Sequence, residues 1–101
     1  MKVYVAMMEE RGVDDGKMKF FGKSIGVGLS RKAAWSMCKK EKEFYISAYY
    51  IAAKECGVKN AKPEFRTVKL SNGKCEIVKL EMTNGFISYF FWVEIHNLEE
   101  K

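Results

Sequence analysis

The 101-residue sequence contains little of what catalytic and metal sites usually need. There is one histidine, His96, whereas most metal and acid–base sites require more than one. The cysteines at positions 38, 56 and 75 form no C-x-x-C pair, which excludes a zinc knuckle and a thioredoxin-like motif. The segment Gly22-Lys23-Ser24 lacks the upstream glycine spacing of a phosphate-binding P-loop. We therefore expect a protein that is not an enzyme and that uses neither a cofactor nor a metal.

Long apolar runs are also missing. The longest uncharged run, 82–93, is well short of the ~20 residues that cross a bilayer. The N-terminus, MKVYVAMMEE, turns acidic where a signal peptide would continue its apolar segment. Unpaired cysteines are typical of a reducing compartment. These features predict a cytoplasmic protein with no membrane partner, and the length suits a single domain over residues 1–101.

Acidic residues are absent between Asp15 and Glu41. The chain carries a net charge of +5, but this stretch alone carries +7 and the remainder sums to −2. Its seven cations are Lys17, Lys19, Lys23, Arg31, Lys32, Lys39 and Lys40. Such a concentrated basic segment predicts an anionic partner, either nucleic acid or an acidic protein surface, and the alternative is an ordinary solvated surface.

The first half of the sequence predicts a hairpin followed by a helical region. Alternating apolar residues indicate strands at 2–10 and 17–21, joined by a turn at Asp14-Asp15-Gly16. Ser30 is a good N-cap for a helix, and Gly57 is a natural end for the apolar helical run 44–56. The segment 39–43 is charged on every side and would not pack there. Either one long helix overhangs the core at that point, or two helices meet.

The second half predicts three strands, at 64–70, 74–82 and 86–95. The dipeptides Asn72-Gly73 and Asn84-Gly85 separate them and are strong hairpin signals. The whole pattern predicts an α+β fold in the order β-β-α(-α)-β-β-β. In this fold a mostly antiparallel sheet of about five strands carries one long or two shorter helices on one face.

The last strand is apolar on both faces. The side chains of Phe86, Phe90 and Trp92 alternate with a second apolar set at 87, 89, 91, 93 and 95. A helical layer on one face would leave these three aromatics in water, so something is expected to cover them. One reading is a central strand with an extra loop or terminus over it, and the other is a partner or homodimer interface.

The stretch 22–32 is the main candidate for chemistry. Gly26 and Gly28 would let the backbone approach a ligand, and Ser30 begins a helix whose first amides can bind an anion. Arg31 and Lys32 oppose the helix dipole there, which makes more sense if a phosphate is bound. Lys32 and Lys39 share a helix face.

The pattern G-x-G-x-S-R-K-x-A at 26–34 resembles the signature that opens the second helix of double-stranded RNA-binding domains. By this resemblance Arg31 and Lys32 would grip phosphates across a groove of A-form RNA, with Ser30 as the cap. The element order differs from that family, and Trp35 stands where the family has a further lysine.

Two functional hypotheses follow. The first is a small basic protein that binds nucleic acid through a glycine-rich loop and helix start at 22–32, with Ser30 and the seven cations as its contacts. The alternative is an inhibitor or accessory protein of phage or mobile-element type, directed for example against a host nucleic-acid-handling defence complex. It would use the basic stretch and the aromatics Phe86, Phe90 and Trp92 to bind a protein partner.

Overall fold

In the computed structural model, the described residues form five strands and one helix in the order β-β-α-β-β-β. The structure describes residues 1–14, 16–82 and 85–98, with only the backbone described for Asp14 and Lys19. The elements are β1 (Lys2–Asp14), β2 (Lys17–Gly28), α1 (Arg31–Glu55), β3 (Glu64–Leu70), β4 (Gly73–Met82) and β5 (Gly85–Asn97). The predicted α+β fold class and element order are confirmed.

The five strands form one antiparallel sheet in the order β2-β1-β5-β4-β3. The aromatic strand β5 is therefore central, and it pairs with β1 along its whole length. The predicted hairpin between β3 and β4 is present, but its two-residue turn is Ser71-Asn72, one residue earlier than the Asn72-Gly73 signal indicated, and Gly73, at a φ of +146°, begins β4. The other two predicted turns include residues 15 and 84, which lie outside the described residues. The pairs that flank them, Asp14 with Lys17 and Met82 with Gly85, are in register.

The helical region is one continuous helix rather than two. At its start the Ser30 hydroxyl accepts a hydrogen bond from the Ala33 amide at 3.0 Å, which confirms the predicted cap. At its end Gly57 has a φ of +68°, and the Val58 amide donates to the Ala53 carbonyl at 2.8 Å. This pattern is a Schellman motif, which needs a left-handed residue at the position of Gly57.

The charged segment 39–43 does not overhang the core, so that prediction was wrong. Cys38, one residue before it, is 1% exposed, and Tyr45, two residues after it, stacks on Tyr89 with ring centroids 4.3 Å apart. The helix stays on the sheet because charged residues at its flanks pair with the strands. Glu41 pairs with Lys23 of β2 at 3.4 Å, and Lys42 pairs with Glu76 of β4 at 3.0 Å.

The core lies between α1 and one face of the sheet. The helix approaches the sheet closely because Ala34 and Cys38, four residues apart, are both small and both buried. The buried cluster consists of Ala6, Met8, Ala34, Cys38, Val78, Leu80, Tyr89 and Phe91. Every strand residue in this cluster belongs to the face that α1 covers. Among the described residues, no helix has the length and apolarity that crossing a membrane requires.

Candidate functional site

Residues 22–28 do not form a ligand-binding loop, because β2 continues through them to Gly28. The two glycines instead admit the protein's own helix. A Cβ at Gly26 would lie 2.8 Å from the Met37 sulfur, and one at Gly28 would lie 3.0 Å from the Ala33 Cβ. The space that the sequence suggested for a ligand is thus filled by α1. The glycine-rich loop is replaced by a strand that packs tightly against the start of the helix.

The seven cations of the acid-free stretch are spread over three places. Lys17 and Lys19 lie at the end of β2 farthest from Ser30, and the Lys19 side chain is outside the description. Lys23 is tied to Glu41, and Arg31 donates to the Asn72 carbonyl at 3.2 Å. The remaining three, Lys32, Lys39 and Lys40, are exposed on α1. The described carboxylates form no ion pair with these three lysines, so they are the ones of the seven best able to meet an anion.

A concave basic site lies between the first half of α1 and the β3–β4 hairpin. We call it the helix–hairpin cleft; its volume is about 280 Å³, and it is lined by Trp35, Lys39, Lys42, Glu43, Lys74 and Glu76. The hydrogen bond from Arg31 to the Asn72 carbonyl braces the start of the helix against the hairpin turn. The position of Arg31 is therefore explained by a structural contact.

The carboxylate of Glu76 organises the inner wall of the cleft. Its two oxygens accept from Lys42 at 3.0 Å and from Lys74 at 3.2 Å. Burial on its own would raise the pKa of Glu76, but the hydrogen bonds and charges of the two lysines outweigh burial and lower this pKa. One carboxylate is thus shared by two ammonium groups, and the cleft keeps an excess of positive charge.

Lys69 adds a cation that no described carboxylate pairs with. It lies directly opposite Lys74 in the β3–β4 ladder, on the face that carries α1. Like charges directly opposite each other in a sheet are destabilising. Lys74 in turn places its ammonium 4.8 Å from the ring centroid of Trp35, a cation–π contact that forms one side of the cleft.

Sequence reasoning missed most of this cleft. Trp35, Lys39 and Lys42 follow the i, i+4, i+7 spacing of one helix face, and that signal was available. From the sequence, Trp35 stands out only as a departure from a family signature. The contribution of Lys69 and Lys74 depends on strand register and on where the helix crosses the sheet. Neither of these can be derived from local spacing.

The second candidate region is the sheet face opposite α1, which we call the open face. No helix or strand among the described residues covers it. Its apolar members are Val3, Val5, Met7, Val13, Met18, Phe20, Val27, Val68, Leu70, Cys75, Ile77, Phe86, Phe90 and Trp92. Its charged strand residues are three cations, Arg11, Arg66 and Lys79, and four carboxylates, Glu9, Glu64, Glu81 and Glu94.

Within the described chain, the aromatic rings of the open face are covered by charged side chains and not by a loop. The guanidinium of Arg11 lies 5.4 Å from the Phe20 ring centroid and 5.1 Å from that of Phe90. The ammonium of Lys79 lies 4.8 Å from the centroid of Phe86, which remains 36% exposed. These contacts shield the rings only in part, so a substantial apolar surface meets solvent.

Trp92, on the open face, takes part in a side-chain hydrogen-bond chain. Its indole N–H donates to Glu94 at 3.0 Å, and the other oxygen of Glu94 lies 3.1 Å from His96 Nε2. The hydrogen bond from Trp92 and then that from His96 lower the pKa of Glu94. The single histidine therefore belongs to a surface hydrogen-bond chain.

The thiols of buried Cys38 and half-buried Cys75 are unreactive. Burial raises the pKa of Cys38 to about 11, and burial also raises the pKa of Cys75. Both therefore remain thiols at neutral pH, which is the unreactive form.

The chain has no significant match among protein-family models, curated proteins or solved structures. The resemblance to double-stranded RNA-binding domains thus stays confined to residues 26–34. Within that segment the structure has a strand where a glycine-rich loop was expected.

Proposed function

We propose that this protein binds nucleic acid without catalysis, with the helix–hairpin cleft and the adjacent outer face of α1 as its contact surface. The observation that carries the proposal is that Lys69 lies directly opposite Lys74, which lines the cleft together with Trp35 and Lys39. Such an arrangement is unfavourable in isolation and becomes favourable when a polyanion neutralises it. An aromatic side chain beside lysines is typical of nucleic-acid grooves.

The outer face of α1 extends this surface. Lys32 and Lys39 are seven residues apart and share a helix face, which separates them by about 10 Å along the helix axis. Lys40 lies beside Lys39 and is also exposed. Lysines at this spacing can contact successive phosphates of one backbone, while Lys42 and Lys74 are held in place by Glu76.

The test is a fluorescence titration with labelled duplex RNA, duplex DNA and single-stranded RNA, each at about 50 mM and about 200 mM salt. We expect binding at the lower salt and a steep loss at the higher. The variant Lys39→Gln with Lys69→Gln removes two cations that have no ion pair among the described residues. It should lower the slope of log affinity against log salt by about two.

The matched control is Lys54→Gln with Lys59→Gln, which removes the same charge from exposed positions outside the cleft. This control should keep most of the salt slope. Equal losses in the two variants would mean that only net charge matters, and the cleft would have no role. An absence of binding by the wild-type protein at low salt would overturn the proposal entirely.

A second candidate function is protein binding, as an inhibitor or accessory protein of phage or mobile-element type. The near-neutral, apolar open face favours it, because a surface of that kind suits a protein partner better than a polyanion. Affinity capture from nuclease-treated cell extract distinguishes the two candidates. A partner retained by the Lys39→Gln, Lys69→Gln variant and lost by Phe90→Ser would support protein binding through the open face.

A further inference from the structure

Within residues 1–14, 16–82 and 85–98, no helix or strand covers the open face. An antiparallel sheet tolerates water on one face when that face is polar, but this one carries Phe90 and Trp92 on its central strand. Half-buried Met7 and Ile77 flank them on the neighbouring strands. A contiguous apolar patch of this kind marks an interaction surface.

The sheet edges are less suited to a partner than the face. The edge strand β2 carries Lys17, Lys19 and Lys23, and its register with β1 shifts near Ile25. The other edge strand, β3, alternates charged residues and begins directly after Pro63. Lysines, irregular pairing and proline are the features that discourage strand addition at an edge. A partner is therefore expected to pack on the face.

The residues of the open face are self-complementary. One row across the five strands reads Phe20, Arg11, Ser88, Lys79 and Glu64, and the next reads Gly22, Glu9, Phe90, Ile77 and Arg66. On each strand, the two rows therefore carry residues of opposite size or opposite charge: a large residue in one row has a small one beside it in the other row, and a cation has a carboxylate. The exception is β4, where Lys79 and Ile77 differ in neither of these ways. There the aliphatic stem of lysine can cover isoleucine.

We infer that the occupant of the open face is a second copy of this chain. The two copies are related by a two-fold axis that lies in the plane of the interface, perpendicular to the strands, between these two rows. This axis places Arg11 over the partner's Glu9 and Glu64 over the partner's Arg66. It also places Phe20 over the partner's Gly22 and Phe90 over the partner's Ser88, so that bulky rings face small residues.

The charge pattern selects this axis over the other face-to-face arrangement. A two-fold axis along β5 would place β1 over the partner's β4, and Arg11 would then face the partner's Lys79. Like charges opposed across an interface are strongly unfavourable. The available area also suffices. Five strands about 4.8 Å apart and about 27 Å of strand length between positions 86 and 94 give roughly 650 Å² per copy, near the ~800 Å² of a standard interface.

The test is sedimentation of the full chain over a range of concentrations. We expect the wild-type mass to rise toward twice the 11.7 kDa chain mass. In a dimer of the Arg11→Glu variant, the new carboxylate at position 11 would face the partner's carboxylate at position 9. In a dimer of the Glu9→Arg variant, guanidinium groups would face each other at the same two positions. Each variant should weaken dimerisation by at least about tenfold. An equimolar mixture of the two single variants restores both opposite-charge pairs and should dimerise.

Several outcomes would overturn the inference. They are a wild-type chain that stays monomeric at all concentrations, single variants that dimerise like the wild type, and a mixture that stays monomeric although circular dichroism shows both variants folded. Lys54→Glu reverses one charge away from the face and should leave dimerisation unchanged. Because the open face and the helix–hairpin cleft are separate surfaces, nucleic-acid titration of Arg11→Glu distinguishes loss of the dimer from loss of the proposed function.

Discussion

The two faces of the sheet are built from alternate residues of the same five strands, yet only one of them is covered. On the helix side Phe91 is fully buried, while its neighbour Phe90 on the open face is held only between strand residues and Arg11. The helix side gains its stability within the chain and carries cations at its margin. The open face is apolar and nearly neutral, and no helix or strand in the part of the chain that the structure describes covers it.

The comparison also separates two kinds of binding surface. Under the proposed function, the cations that border the helix–hairpin cleft would contact a polyanion, and that binding would depend on salt. The open face buries apolar area and depends on shape and on a few opposed charges. The two proposals therefore assign different partners to the two sides, a polyanion to the cleft and a protein to the open face. Each can be altered without touching the other.

The strongest way to sharpen the comparison is to truncate one aromatic on each face. Phe91→Ala creates a cavity under α1 and should lower the free energy of unfolding by about 3–5 kcal/mol. Phe90→Ala should cost clearly less at protein concentrations where the chain is monomeric, because its ring is already partly solvated. Urea denaturation followed by circular dichroism measures both. Equal losses would mean that the open face is as well packed as the core.

A glycine on each face gives the next largest effect. Gly28→Ala places a methyl 3.0 Å from the Ala33 Cβ and 3.1 Å from the Ala34 nitrogen, so the helix start must move. We expect a loss of about 1–3 kcal/mol. Gly22→Ala, on the open face, meets only an ordinary contact at 3.7 Å within the chain and should be nearly neutral at protein concentrations where the chain is monomeric. Thermal unfolding compares the pair, and a neutral Gly28→Ala would contradict the close approach of β2 and α1.

The third comparison substitutes one serine at the start of the helix and one on the open face. Ser30→Ala removes the hydroxyl that accepts from the Ala33 amide and should cost about 1 kcal/mol. Ser24→Ala, on the open face and exposed, should stay within about 0.5 kcal/mol of the wild type. Urea midpoints at constant slope measure the difference. If both serines matter equally, the cap does not stabilise the helix as described.

The smallest effect concerns pH. The pKa of Glu76 in the folded protein lies below its ordinary value. The ionised Glu76 therefore stabilises the folded state at pH values above its unfolded-state pKa, and this stabilisation is lost as the pH falls through its folded-state pKa. The stability difference between wild type and Glu76→Gln should therefore be largest near neutral pH and vanish in the acid range. The stability difference between wild type and Glu94→Gln should change with pH in the same direction but by a smaller amount, since Glu94 is more exposed. A difference that grows toward acid pH would contradict this assignment.

The fold was largely predictable because its signals are local. Alternation, the Ser30 cap, the Gly57 end and the β3–β4 hairpin each depend on a few neighbouring residues, and the structure reproduces them, with the hairpin turn one residue earlier than predicted. The errors came from tertiary contacts. Gly26 and Gly28 looked like a ligand loop because a sequence does not show which atoms fill the space above a glycine. The segment 39–43 looked unable to pack because its partners, Lys23 and Glu76, lie far away in sequence.

The candidate site was predicted only in part. Local charge counting found Lys32 and Lys39, but it grouped them with Lys17, which lies at the opposite end of β2. It missed Lys69 and Lys74 because their apposition exists only once β3 and β4 are in register. The aromatics Phe86, Phe90 and Trp92 were placed on the correct face, since alternation alone decides which side of a strand a residue occupies.

The pairing of β1 with β5 has a consequence for how the chain is made. These strands are the first and the last in sequence, and the middle of the sheet is formed between them. During synthesis the β1–β2 hairpin and the β3–β4 hairpin emerge as separate pieces, and neither has its central neighbour until residues 85–97 leave the ribosome. The sheet therefore cannot close until β5 has been made, and a chain cut short before β5 leaves two unpaired apolar strand edges exposed to aggregation.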